Sequence, residues 1–123
     1  MRLPWVSLGT DGLLGGRPHP RAYGSFPRVL ARYVRERRVI SLEEAVRKMT
    51  SQAASVFGLR DVGVVREGAR ADLAVFDPER VADTASYEEP VRFPEGIPHV
   101  LVGGVPVVRD GQMTGARPGV TLA

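Results

Sequence analysis

Gly68-Ala69-Arg70-Ala71-Asp72-Leu73-Ala74-Val75-Phe76-Asp77 runs from a glycine through charged residues into four apolar ones and stops at Asp77-Pro78. Leu73 to Phe76 reads as a short strand ended by that turn. Gly63-Val64-Val65, His99-Val100-Leu101-Val102 and Pro106-Val107-Val108 read as further short strands around it. Val102-Gly103-Gly104-Val105 has the form of a two-residue hairpin, and Asp110-Gly111 marks another turn. Glu79 to Ile97 is long, polar and proline-bearing, which predicts a surface excursion. The C-terminal half is therefore expected to be β-rich.

The N-terminal half differs. Trp5-Val6-Ser7-Leu8 suits a buried strand, and Gly9-Thr10-Asp11-Gly12 suits the turn at its C-terminal end. Leu13 to Ser25 holds Gly15-Gly16, Pro18, Pro20 and Gly24, which predicts irregular structure. Pro27 can open a helix, since a first-turn amide needs no partner. Val29, Leu30, Tyr33 and Val34 recur at helical spacing, so a helix is expected over 27–38. Ser41-Leu42-Glu43-Glu44 is a capping box, in which the serine accepts from the Glu44 amide and Glu44 reaches back. Leu42, Ala45, Val46 and Met49 form that helix's apolar stripe. Thr50 or Ser51 caps a further short helix through Phe57, with Gly58 at its left-handed end. A lone strand followed by helices cannot bury itself, so the architecture reads as incomplete on its N-terminal side. The stripe Val29, Leu30, Tyr33, Leu42 and Val46 is then expected to lie uncovered and to favour self-association.

Composition narrows the class. Hydrophobic residues make up 43% and charged residues 25%, which argues against disorder. No cysteine is present, which excludes disulfides and thiolate metal sites in this sequence. No stretch approaches a membrane span and no signal-peptide core is visible, so a cytoplasmic protein is expected. Of the net charge of +3, an excess of nine Lys or Arg over three Glu falls between Arg17 and Lys48. These arginines alternate with apolar residues at helical spacing and read as a solvated helix face. No stacking or groove-reading motif accompanies them, so no nucleic-acid partner is expected.

A few residues could carry chemistry. Asp11 stands at the C-terminal end of a strand, where barrel enzymes place catalytic groups, although aspartate is also common in turns. His19 sits between Pro18 and Pro20 without a local second ligand, and His99 is equally alone, while zinc needs three or four ligands. Arg21, Tyr23 and Arg28 could bind a substrate carboxylate, the arginines through a two-pronged guanidinium fork, and Arg17 could serve equally well. No phosphate loop, dinucleotide motif or serine elbow occurs.

Thr10-Asp11-Gly12 and the run Arg17-Pro18-His19-Pro20-Arg21-Ala22-Tyr23-Gly24-Ser25-Phe26-Pro27-Arg28 resemble the closing part of the N-acyl-D-amino-acid deacylase (D-aminoacylase) barrel. Ser41 to Thr50, Phe57 to Asp61 and the Gly68 to Asp77 stretch continue the resemblance; the last is similar to a strand signature of the metal-dependent amidohydrolase superfamily. The resemblance implies an α/β fold: the last strand and helices of a metal-dependent β/α barrel in 1–60, then strands of a small β-sandwich in 61–123. It implies that Asp11 is catalytic, moving a proton between a metal-activated water and the leaving nitrogen. It implies His19, Arg21 and Tyr23 near an N-acyl-D-amino-acid substrate, and zinc in the full-length enzyme. The family's metal-ligand residues lie on earlier strands, so no metal ligand and no tight zinc binding are expected here. The chain is expected to be a C-terminal fragment or one part of a split enzyme, inactive without the missing barrel portion. A non-catalytic β-rich association module is the alternative.

Overall fold

The computed structural model describes residues 1–13 and 15–122; Leu14, inside the expected irregular loop, lies outside them. Helix α1 (Arg21–Arg28) passes without a break into a wider π-helical segment (Val29–Glu36). Helices α2 (Leu42–Met49) and α3 (Ser51–Val56) follow. Strands β1 (Leu73–Val75), β2 (His99–Val102), β3 (Val105–Arg109) and β4 (Gln112–Met113) form one antiparallel sheet in sequence order.

The sheet follows from its turns. Val102 pairs with Val105 across Gly103 and Gly104, whose φ angles are +55° and +81°. Two successive positive φ values twist the strands compatibly, and glycine takes them without steric cost. Asp110 (φ +51°) and Gly111 (φ +76°) make the same kind of turn, with Arg109 opposite Gln112. That pairing creates β4, which alternation alone did not reveal. The Asp72 carboxylate accepts from the Gly103 amide at 2.7 Å, and the Gly104 amide donates to the Ala71 carbonyl at 2.9 Å. The Ala71-Asp72-Leu73 part of the strand signature thus pins the β2–β3 turn to the start of β1. The Gly103 amide, helped by Arg70, holds the Asp72 carboxyl below its usual range. Gly63-Val64-Val65 is not a strand; Gly63 turns at φ +73° against the Thr50 backbone.

Three other expectations change. Helix α1 starts at Arg21, six residues before Pro27, because Pro20 already holds helical dihedrals and the Gly24 amide bonds its carbonyl at 2.9 Å. Gly24 is tolerated inside the helix for a packing reason: a Cβ there would meet Asp83 Cβ at 3.2 Å. Trp5 to Leu8 is not in a strand. Ladders need a partner strand, and among the described residues this segment instead bonds helix α2: the Leu8 amide donates to the Lys48 carbonyl at 3.2 Å. Its alternation survives, with Trp5, Ser7 and Gly9 exposed and Val6, Leu8 and Thr10 half-buried.

The stripe expected to be bare is covered in part, at Val29, Leu30 and Leu42, while Tyr33 and Val46 stay half-buried outside that cluster. Val29 and Leu30 are buried together with Ala45 and Val81, and Phe76 and Ile97 pack against them. The Glu79 to Ile97 excursion supplies the cover. Val81 is 0% exposed, and Arg35 holds the excursion by donating to the carbonyls of Pro78 and Val81, each at 2.9 Å.

Candidate active site

Asp11 follows an extended segment and adopts φ +46°, a left-handed conformation that aspartate tolerates better than most residues. Gly12 then presses onto α1: a Cβ there would lie 3.0 Å from Ala22 Cα. The Gly12 amide also bonds Thr10 Oγ1 at 3.2 Å. Thr10-Asp11-Gly12 therefore forms a tight corner seated on the first turn of α1, and the Asp11 side chain is turned outward, 85% exposed.

Arg21 completes the corner. Its Nη2 lies 2.9 Å from Asp11 Oδ2, and its Nε donates to the Asp11 carbonyl at 2.9 Å. His19 joins through the backbone: the Arg21 amide donates to His19 Nδ1 at 3.0 Å. With Nδ1 accepting, the neutral ring carries its proton on Nε2. That nitrogen faces the Tyr87 hydroxyl at 3.1 Å, and the two rings meet edge to face at 5.1 Å. Arg17 fastens the same loop by donating to the carbonyls of Tyr87 at 2.7 Å and Glu88 at 3.2 Å.

Asp11, Arg21 and His19 thus come together as one group. Tyr23 does not join the group's hydrogen bonds; its ring stacks edge to face on Phe93 at 5.9 Å. Arg28 is paired with Asp83 at 2.8 Å. Tyr87 is the residue that sequence reasoning missed. It lies 68 residues from His19 within a stretch read as surface, and no local pattern marks it. His99 stays apart, accepting the Asp110 amide on Nδ1 at 3.3 Å.

No three His, Cys, Asp or Glu side chains among the described residues are placed to hold a metal ion. The donors among the described residues therefore do not fit a catalytic zinc, which needs about three protein ligands.

The amidohydrolase family model matches residues 2–108. The chain belongs to the amidohydrolase family. This amidohydrolase chain is 48% identical over 122 residues to an N-acyl-D-aspartate deacylase of Alcaligenes xylosoxydans xylosoxydans, covering 98% of itself and 24% of that protein. It is 52% identical over 116 residues to an N-acyl-D-glutamate deacylase of the same organism, covering 94% of itself and 24% of the relative. Among solved structures it resembles a D-aminoacylase described as defining a novel subset of amidohydrolases, with TM-score 0.86, 48% identity, and coverage of 89% of this chain and 23% of that one. It also resembles the N-acyl-D-glutamate deacylase of Bordetella bronchiseptica complexed with zinc and a phosphonate mimic of the tetrahedral intermediate, with TM-score 0.82, 48% identity, and coverage of 93% and 26%. The amidohydrolase chain spans about a quarter of the length of the relatives it matches.

Proposed function

We propose that this chain forms one wall of the active site of an enzyme that hydrolyses N-acyl-D-amino acids, with the rest of the barrel supplied by sequence outside it. The observation that carries the reading is the Asp11–Arg21–His19 group, built on a left-handed corner and presented outward. A carboxylate held there without burial can take a proton from an attacking water and return it to the leaving nitrogen. The Arg21 fork matches a carboxylate bidentately, so a substrate carboxylate would compete with Asp11 for it. The identity to deacylases of N-acyl-D-aspartate and N-acyl-D-glutamate supports this substrate class. In this reading residues 1–60 close the barrel, residues 61–123 add strands to a small sandwich, and the whole enzyme's zinc is held by residues outside the chain.

A second reading, a non-catalytic association module, is favoured by Leu3, Trp5 and Leu13, which stand exposed in the N-terminal segment. One experiment separates the readings. The purified chain is mixed with the barrel portion of one of its deacylase relatives, and N-acetyl-D-glutamate hydrolysis is assayed with zinc present. Turnover that appears only in the mixture supports the proposal. Association without turnover supports the module, and turnover by the chain alone contradicts both.

A further inference from the structure

Lys48 is a buried charge that the proposed chemistry does not use. The sequence places it on the polar side of α2, yet it is 0% exposed. Its Nζ donates to the carbonyls of Leu3 at 2.7 Å and Val6 at 2.8 Å, and it lies 3.3 Å from Glu44 Oε1. Of the ammonium's three donors, two are taken by these carbonyls, and Glu44 supplies the opposite charge. The Lys48 carbonyl takes the Leu8 amide at 3.2 Å, and Arg47 Nη2 reaches the Pro4 carbonyl at 3.4 Å. Burying a charge costs much unless it is paired and hydrogen-bonded, so this arrangement holds only while Leu3 and Val6 stay in place.

We propose that Lys48 is a positioning residue for Asp11: its ammonium fixes the register of the Leu3–Leu8 segment on α2 and thereby sets where the Thr10-Asp11-Gly12 corner meets α1. The inference rests on the reading of Asp11 as a site residue. Its mechanical content is separate, because it concerns the placement of the corner and not turnover. A two-point grip on carbonyls three residues apart resists sliding, because any shift of one residue breaks both bonds.

The test is amide hydrogen exchange by NMR on the wild-type chain and on Lys48→Met, which keeps length and apolar stem but removes all three donors. The expected result is selective: the Leu8 amide exchanges at least ~10-fold faster, as loss of charged hydrogen bonds implies, while the Ala54 amide in α3 is unchanged. The nuclear Overhauser contact between Gly12 and the Ala22 methyl should weaken in the same variant. Equal acceleration at Leu8 and Ala54 would mean a general stability role and would overturn the proposal, as would no change at Leu8. Should Lys48→Met fail to fold, the wild-type chain still decides. Slowly exchanging Nζ protons with hydrogen-bond couplings to the Leu3 and Val6 carbonyl carbons support the grip, and a freely exchanging ammonium refutes it.

Discussion

Asp11 combines positive φ, an exposed carboxylate, and an arginine bonded to both its side chain and its carbonyl. Replacement by asparagine keeps a residue that tolerates left-handed backbone, whereas alanine adds conformational strain. Asp11→Ala is therefore expected to lower the thermal stability by about 1 kcal/mol more than Asp11→Asn, measured by denaturant unfolding of the two variants. The reverse order would show that the corner is not held at positive φ. Gly12→Ala is expected to cost about 1–3 kcal/mol, because the new methyl meets the Ala22 backbone and overpacking is poorly relieved there. At this scale Asp11, His19 and Arg21 were singled out by the family resemblance of residues 10–12 and 17–28, while their residue types alone left Asp11 a turn residue and Arg17 as good as Arg21. Tyr87 was not, because its link to His19 spans 68 residues and exists only after folding.

Among the elements, α2 shows how much a start signal can say. Ser41 accepts the Glu44 amide at 3.2 Å, as the capping box implies. Glu44 does not reach back to the Ser41 amide. Its carboxylate is taken by Arg47 at 2.7 and 2.9 Å, with Lys48 also near. Ser41→Ala should cost about 1 kcal/mol, read as a lower unfolding midpoint. Arg47 chiefly, against some desolvation, holds the Glu44 carboxyl at about 2 instead of its ordinary 4.5. A folded-state value below the unfolded one means stability present above about pH 4.5 and lost as pH falls towards 2. Thermal unfolding followed from pH 6 down to about pH 2 should show that loss, and Glu44→Gln should flatten it. An unchanged slope in Glu44→Gln would assign the acid sensitivity elsewhere. The hairpins were readable because their turn glycines are local. The Trp5 to Leu8 strand was not realised because a ladder depends on a neighbour that no local pattern supplies.

For the whole molecule, the decisive contact is between the excursion and the helices. Val81 enters the core beside Val29, Leu30 and Ala45, and Arg35 fastens the carbonyls of Pro78 and Val81. The composition of 79–97 reads as surface, and a single valine within it carries no periodic signal. Only the tertiary arrangement shows that it covers the stripe on the helices. Val81→Ala is expected to cost about 1.5–3 kcal/mol, since a fully buried side chain is truncated beside atoms that cannot all close in; a loss below the resolution of the unfolding curve would show that the excursion is only draped over the helices.

In the proposed function this chain brings the proton-moving carboxylate and the carboxylate-binding arginine to a deacylase active site. The most direct test compares kcat and KM for N-acetyl-D-glutamate in the complete enzyme, with the barrel portion restored, for Asp11→Asn and Arg21→Ala. Asp11→Asn is expected to lower kcat by ~10²–10⁴-fold, the usual range for lost general acid–base help. Arg21→Ala is expected to act mainly by raising KM, because its contact is made in ground and transition states alike. Near-normal kcat in Asp11→Asn would make Asp11 a turn residue and rule out that role.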